Sequence, residues 1–166
     1  DPAVADRALA PLGLPMSPVE LLELVGAAVG HPVAGTLHAA FPERFGVSPG
    51  LTRLVESGKT SLFLRGEGEP RLDPAVEALF APEGERGEGL TEEEVRRRAL
   101  EAIAEEIGLM LREGVVAEAQ DIDLCLITGA GWPFHLGGIT PYLDRAGISE
   151  RVTGSRFLPR GVASVP

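Results

Sequence analysis

Two short stretches carry the residue types that could bind phosphate. The first is GAGWPFHLGG at residues 129–138, and the second is ESGKTS at residues 56–61. Glycine-rich loops before a helix can cradle phosphates with backbone N–H groups. The phosphate-binding loop G-x-x-x-x-G-K-[ST] needs a glycine at position 53, where this chain has Arg53. The stretch at 129–138 lacks both the G-x-G-x-x-G spacing and a preceding strand, so it does not predict a dinucleotide-binding loop.

The sequence patterns do not support a metal site or nucleophilic catalysis either. The three histidines, His31, His38 and His135, lack the H-x-x-x-H spacing that places two ligands on one face of a helix. We expect no nucleophile elbow, the strand–turn–helix setting of the G-x-S-x-G motif. Acidic pairs such as Glu105 and Glu106 are typical of a solvated helix face. The residues alone therefore indicate a helical domain whose chemistry is absent or lies elsewhere.

Composition narrows the class of protein further. The net charge of -10 disfavours nucleic acid as a partner, and no run reaches the roughly 18 apolar residues of a membrane span. The single cysteine, Cys125, sits in the apolar run 124–127, which predicts a buried thiol in a reducing, cytoplasmic environment. The chain starts at Asp1 without a methionine or a secretory segment, so we expect a piece of a longer protein.

The elements that would position any site are mainly helices. Ser17 and Glu20 form a predicted capping box, with Pro18 at the first helical position and Val19, Leu22 and Val25 on the apolar face. Proline and cap signals predict further helices at 2–10, 32–41, 49–57 and 74–80. The run TSLFL at 60–64 is the only strand-like segment.

The clearest helix spans residues 91–114. Thr91 and Glu94 form its capping box, and Gly114 ends it. Helical spacing predicts a buried stripe of Leu100, Ile103, Ile107, Met110 and Leu111. Helix should continue through 117–127, a last helix should cover 139–147, and the tail at 148–166 should be surface coil. Residues 81–90, acidic and rich in glycine, predict an exposed linker.

The two ends of the chain repeat one pattern. A short helix with an aspartate (Asp6 or Asp123) leads to a Gly-x-Pro turn and then to an amphipathic helix. The turns are Gly13 with Pro15 and Gly131 with Pro133, so the prolines are offset by 118 positions. This spacing predicts an all-α fold of two degenerate helical repeats packed together, with half-repeats at 1–80 and 91–147 in a single domain of 166 residues.

Two motifs carry a resemblance to a known family. The first runs through Asp6, Ala8, Gly13, Pro15, Met16 and Pro18; the second runs through Glu113, Gly114, Asp121, Ile122, Asp123, Gly129, Gly131, Trp132, Pro133, Gly137 and Gly138. Together they resemble the tandem C-terminal domains of the 3-hydroxyacyl-CoA dehydrogenase family, most closely those of the alpha subunit of the fatty-acid β-oxidation complex. Ser17 stands where the family pattern has glycine.

The resemblance implies a helical domain like the C-terminal domain of 6-phosphogluconate dehydrogenase. Such a domain closes over a Rossmann domain that binds NAD and carries the catalytic His and Glu. The family's catalytic Asn would precede Asp1, and the chain contains no asparagine. The corresponding place in the second repeat, residues 95–100, holds arginines. We therefore expect neither catalytic nor cofactor-binding residues in this chain.

The resemblance gives the two turns a role at the substrate cleft or at the docking surface of the domain. The residues concerned are Gly13, Pro15, Met16, Pro18, Gly131, Trp132, Pro133 and Phe134. Trp132 and Phe134 should pack beneath the helix that follows, as Leu14 and Met16 should in the first half. Expected partners are an acyl-CoA substrate, the Rossmann domain and a thiolase subunit. The alternative hypothesis is a free-standing helical interaction module without catalysis.

Overall fold

The computed structural model describes residues 1–66, 68–81 and 89–162. Helices dominate it, as the all-α prediction requires. In chain order they are α1 (Pro2–Leu9), α2 (Pro18–Val25), α3 (Ala27–Ala40), α4 (Pro49–Glu56), α5 (Pro74–Leu79), α6 (Glu92–Arg112), α7 (Ala119–Gly129), α8 (Ile139–Arg145) and α9 (Ile148–Thr153). Short 3-10 turns cover Ala10–Leu12 and Phe134–Leu136. Strands β1 (Phe63–Leu64) and β2 (Arg71–Leu72) pair antiparallel, with Phe63 opposite Leu72.

The chain divides into two compact units. The first contains residues 1–7 and 16–90, and the second contains residues 8–15 and 91–166. The second unit thus includes the first Gly-x-Pro turn as well as the second. The predicted linker at 81–90 lies largely outside the described residues, which omit 82–88.

The first unit is built around a small apolar core of Val19, Ala27, Leu54, Leu62 and Val76. Two of its helices start directly after a capping side chain: Asp73 caps α5, and Ser48 caps α4. The Glu23 carboxylate on α2 accepts the backbone N–H groups of Leu62 and Phe63, at 2.6 and 3.1 Å. This side chain therefore fastens the strand pair to helix α2.

The second unit packs α7, α8 and α9 against the long helix α6. Its core contains Leu12, Leu100, Ala104, Ile107, Ile122, Trp132, Ile139, Leu143 and Ile148. Both predicted capping boxes, Ser17 with Glu20 and Thr91 with Glu94, are present. The stripe predicted for α6 is confirmed at Leu100 and Ile107, but Ile103 is exposed. Ala104, one position further along, occupies the buried face instead.

The prediction of surface coil from residue 148 onward is wrong for the first part of the described tail and for one residue beyond it. Residues 148–153 form α9, and Leu158 is buried. The reason is the buried Asp144 carboxylate on α8, which accepts the Ser149 hydroxyl and the backbone N–H groups of Phe157 and Leu158, the latter two at 3.0 Å. These bonds hold the tail against α8 through residue 158.

Two further expectations fail for local reasons. Helix α3 starts at Ala27 rather than at Pro32, which lies inside the helix. Cys125, predicted to be buried, is exposed. The buried face of α7 carries Ala119, Ile122 and Asp123, and Cys125 lies off that face.

Candidate functional site

The two Gly-x-Pro turns lie against each other. Gly13 and Gly131 have positive φ angles of 69° and 70°, a backbone conformation that favours glycine. A Cβ atom added at Gly131 would lie 2.7 Å from Cγ of Pro15, and one added at Gly13 would lie 3.7 Å from Cγ of Pro133. Each glycine thus faces the proline of the other turn. The contact is reciprocal, as expected of two related repeats.

An aspartate fixes the first turn to the start of α2. Asp6 on α1 accepts the Ser17 hydroxyl on Oδ2 at 2.8 Å and the backbone N–H of Val19 on Oδ1 at 3.1 Å. The backbone N–H of Ser17 donates to the Glu20 carboxylate at 2.7 Å. Ser17 therefore both caps α2 and links it to α1.

The second turn is fixed in the same way by a more deeply buried aspartate. Asp123 accepts the Thr140 N–H on Oδ1 at 2.8 Å and the Thr140 hydroxyl on Oδ2 at 2.5 Å. Burial raises the pKa of Asp123, and the hydrogen bonds from Thr140 oppose that rise. Gly138 precedes α8 with φ 106°, and a Cβ there would lie 2.6 Å from Cγ of Asp123. Glycine at position 138 is what allows the carboxylate to approach.

The aromatic residues of the second turn have different environments. Trp132 is 6% exposed and packs edge-to-face on Tyr142, with ring centroids 5.6 Å apart. Phe134 is 82% exposed, and Met16 in the first turn is also exposed. The prediction that Phe134 and Met16 pack beneath the following helices is therefore wrong. In the 3-10 turn after Pro133, Leu136 rather than Phe134 packs against the core.

Other residues that could have done chemistry hold the fold together. Lys59, from the ESGKTS stretch, forms an ion pair with Asp73 at 2.7 Å. Arg96 donates to the carbonyl of Ala8 at 3.1 Å, and His31 bonds the Thr52 hydroxyl at 3.1 Å. Within residues 1–66, 68–81 and 89–162, no three His, Cys, Asp or Glu side chains are grouped as metal ligands. None of these contacts suggests a reaction centre.

Helix α3 carries a row of exposed apolar side chains that the sequence patterns did not predict. Val29, Val33 and Leu37 are exposed and follow one another at intervals of four residues, which places them along one face of the helix, and the exposed Phe41 comes directly after the last helical residue. On the preceding helix, Leu21, Leu24 and Val25 are exposed as well. We call Val29, Val33, Leu37 and Phe41 the α3 row. The spacing was visible in the sequence, but starting the helix at Pro32 removed Val29 from the pattern.

The described sheet differs from the sheet of a Rossmann-type dinucleotide-binding domain. Rossmann-type binding needs a parallel sheet and a glycine-rich turn from a strand into a helix. The described sheet contains two antiparallel strands of two residues each. In the same ranges, no helix combines the length and the apolar composition required to cross a bilayer.

A comparison with known families supports the resemblance carried by the motifs. Residues 1–62 match the family model described as 3-hydroxyacyl-CoA dehydrogenase, C-terminal domain. The matched range includes the first turn with its anchor Asp6, and helices α2 to α4. It ends before the second turn and covers less than half of the chain. Over this range the chain is similar to the helical domain of that family.

Proposed function

We propose that this chain is the C-terminal helical part of an NAD-dependent 3-hydroxyacyl-CoA dehydrogenase of fatty-acid β-oxidation, like the alpha subunit of the multienzyme complex. The whole enzyme would oxidise an L-3-hydroxyacyl-CoA to the 3-ketoacyl-CoA in the cytoplasm, with a thiolase subunit as its partner. The observation that carries the proposal is the family match over residues 1–62, which includes the Asp6 anchor and the first Gly-x-Pro turn.

In that enzyme, this chain shapes the substrate cleft and supports the catalytic part, and it supplies no catalytic group. Its lysine, histidine and arginine candidates are engaged in structural contacts, as described for Lys59, His31 and Arg96. We expect NAD and the catalytic groups to belong to a part of the longer protein outside residues 1–166. The two turns, with Gly13, Pro15, Gly131 and Pro133 at their contact, give the domain a fixed geometry at the substrate cleft.

The α3 row supplies the docking surface for the dehydrogenase part. Four exposed apolar side chains along one helix face are unfavourable in water, and covering them removes apolar area from solvent. The acidic surface of the chain, with a net charge of -10, disfavours binding of the CoA phosphates here. The chain thus contributes apolar contacts, and the phosphates are bound elsewhere.

The docking role can be tested in the longer protein by placing a charge in the α3 row. Val33→Asp should lower kcat/KM for acetoacetyl-CoA reduction about tenfold, because burying a carboxylate in an apolar interface costs more than about 1.4 kcal/mol. Val115→Asp is the matched control, since Val115 is also exposed and lies outside the row. Equal activity of both variants would exclude the α3 row as the docking surface.

The coding sequence separates this proposal from the alternative. An upstream Rossmann fingerprint in the same reading frame supports the dehydrogenase. A start codon immediately before Asp1 would instead favour a free-standing interaction module. A hydratase segment further upstream would identify the parent as a multifunctional enzyme.

A further inference from the structure

An open cleft lies between helix α2 and the strand pair of the first unit. Its volume is about 790 Å³. Most residues in its walls are apolar or acidic, and they include Met16, Leu24, Phe63, Glu20, Glu23 and Glu69. Leu24 is 70% exposed and Met16 is 37% exposed, so two of its apolar side chains lie uncovered in water. We call it the α2 cleft.

The charges in the α2 cleft are unbalanced. Its walls contain three glutamates but one arginine, Arg65, which forms an ion pair with Glu23. Glu20 and Glu69, both exposed, therefore have no further cation to balance them among the described residues that line the cleft. A cationic group that entered the cleft would form charge-assisted hydrogen bonds with these two carboxylates.

The Glu23 carboxylate has an equivalent in the second unit. Glu23 and Asp144 each accept two consecutive backbone N–H groups from a segment further along the chain, and each forms an ion pair with an arginine. Each lies three residues before a glycine, and helices α3 and α9 begin directly after those glycines. The two carboxylates are therefore at equivalent positions, which makes Leu24 the counterpart of Arg145.

In the second unit, an arginine crosses the place that corresponds to the α2 cleft. The Arg145 guanidinium donates to the carbonyl of Leu136, which lies in the segment that leads into α8. In the first unit, Met16 lies in the segment that leads into α2. Arg145 thus extends from the position of Leu24 to the segment that corresponds to that of Met16. The second unit fills with its own arginine a place that the first unit leaves open.

We propose that the α2 cleft binds an arginine side chain from a basic peptide segment of a partner protein. The guanidinium lies between Met16 and Leu24, because its weakly hydrated faces pack well on apolar atoms. Its N–H groups donate to the carboxylates of Glu20 and Glu69. An apolar residue beside the arginine covers the exposed part of Leu24. The inference does not rest on the proposed function, since it holds for any reaction of the longer protein.

A short peptide tests the proposal on the 166-residue chain. The probe is acetyl-Gly-Leu-Arg-Leu-Gly-amide, titrated into the isotope-labelled chain and followed by NMR. The buffer contains about 0.1 M salt, which screens general attraction to the acidic chain beyond roughly 10 Å. We expect saturable chemical-shift changes at residues 16–24, 63–65 and 68–70. The same peptide with citrulline in place of arginine keeps the shape without the charge, and its Kd should be about tenfold higher.

Leu24→Arg tests the comparison with Arg145. The new arginine should occupy the cleft as Arg145 does in the second unit, and it should weaken binding of the arginine peptide about tenfold. Leu21→Arg is the matched control, because it adds the same charge at an exposed position of the same helix that does not line the cleft. It should change the Kd less than about twofold. Glu69→Gln should weaken binding about threefold.

Four outcomes would overturn the proposal. The first is the absence of saturable shift changes up to about 5 mM peptide, and the second is an equal Kd for the arginine and citrulline peptides. The third is equal weakening by Leu24→Arg and Leu21→Arg, which would make the attraction a general effect of charge. The fourth is a chain that dimerises until Leu24→Arg is introduced, which would make a second copy the occupant. None of them bears on the dehydrogenase activity of the longer protein.

Discussion

The two anchored turns use the same hydrogen bonds with different side chains. In the first turn, the hydroxyl comes from Ser17, the residue that caps α2. In the second, it comes from Thr140 inside α8, and the capping position is Gly138. The carboxylate of Asp123 is buried against that glycine, whereas Asp6 accepts the hydroxyl of the capping serine itself. Both aspartates thus accept one hydroxyl and one backbone N–H group. In the second turn, however, the residue that supplies the hydroxyl lies two positions further into the helix.

This comparison separates position 138, which needs glycine, from position 17, which does not. A side chain is tolerated there because φ of Ser17 is -70°, an ordinary value for any residue. At Gly138, φ 106° and ψ 163° fall in a region that essentially only glycine adopts. The two turns should therefore respond very differently to mutation, and the following predictions are ordered from the largest expected effect to the smallest.

Gly138→Ala should be the most damaging change. The new Cβ would clash with the buried carboxyl of Asp123 and force a strained backbone, at a cost of roughly 3–4 kcal/mol. At the corresponding position, Ser17→Gly should cost only about 0.5 kcal/mol, because glycine is an acceptable helix cap. Urea unfolding of both variants measures the difference. Equal losses of unfolding free energy in the two variants would contradict the expected difference between the two turns.

Asp123→Ala should destabilise the chain more than Asp6→Ala. The first change leaves a buried N–H and a buried hydroxyl of Thr140 without their acceptor, at a cost of about 3 kcal/mol. The second leaves partly buried donors that water can reach, at about 1 kcal/mol. Thermal unfolding monitored by circular dichroism gives both values. A larger loss for Asp6→Ala would contradict the assignment of the deeper anchor to the second turn.

The pH dependence of stability should have opposite signs at two carboxylates. Because the folded-state pKa of Asp123 is raised, its contribution is present at low pH and is lost as the pH rises from about 4. The pKa of Glu94 is lowered, first by the Thr91 N–H and then by the Thr91 hydroxyl, so its contribution is lost as the pH falls below about 4.3.

The measurement compares the original chain with Asp123→Asn and with Glu94→Gln between pH 3 and pH 7. The advantage of the original chain over Asp123→Asn should shrink toward neutral pH. Its advantage over Glu94→Gln should shrink toward acid. The same trend in both pairs would show that the burial of Asp123 has been misjudged.

Phe134→Ser should have the smallest effect. The ring is 82% exposed, so its removal should change the free energy of unfolding by no more than about 0.5 kcal/mol. Trp132, two residues earlier, is the internal contrast, since Trp132→Ala should cost roughly 3 kcal/mol or more. A large loss of unfolding free energy for Phe134→Ser would instead support packing of this ring beneath α8.

Local signals explain what the sequence could predict. The capping boxes at Ser17 and Thr91 and the two Gly-x-Pro turns depend on residues within a few positions of one another, and all of them are present in the structure. The sequence also indicated that Asp6 and Asp123 are equivalent residues, because each lies at a similar distance before its turn. The match of residues 1–62 to the C-terminal domain of 3-hydroxyacyl-CoA dehydrogenase covers Asp6, the first turn and the Ser17 capping box.

The features that could not be predicted from the sequence depend on contacts between residues that lie far apart along the chain. Asp144 holds a tail 13 to 14 residues away, and nothing in the local pattern around it predicts those bonds. The exposure of Cys125 and Phe134 depends on which face of a short element meets the core, and short apolar runs do not specify that face. The cleft and docking roles of the turn residues remain predictions, since they concern a partner domain.

The central claim is that this chain supports a dehydrogenase without carrying its chemistry. The most direct test follows NADH absorbance during acetoacetyl-CoA reduction by the folded chain of residues 1–166, beside the longer protein from the same gene. We expect turnover by the longer protein and none above the protein-free rate for the chain alone. Turnover by residues 1–166 alone, or none by the longer protein, would contradict the claim.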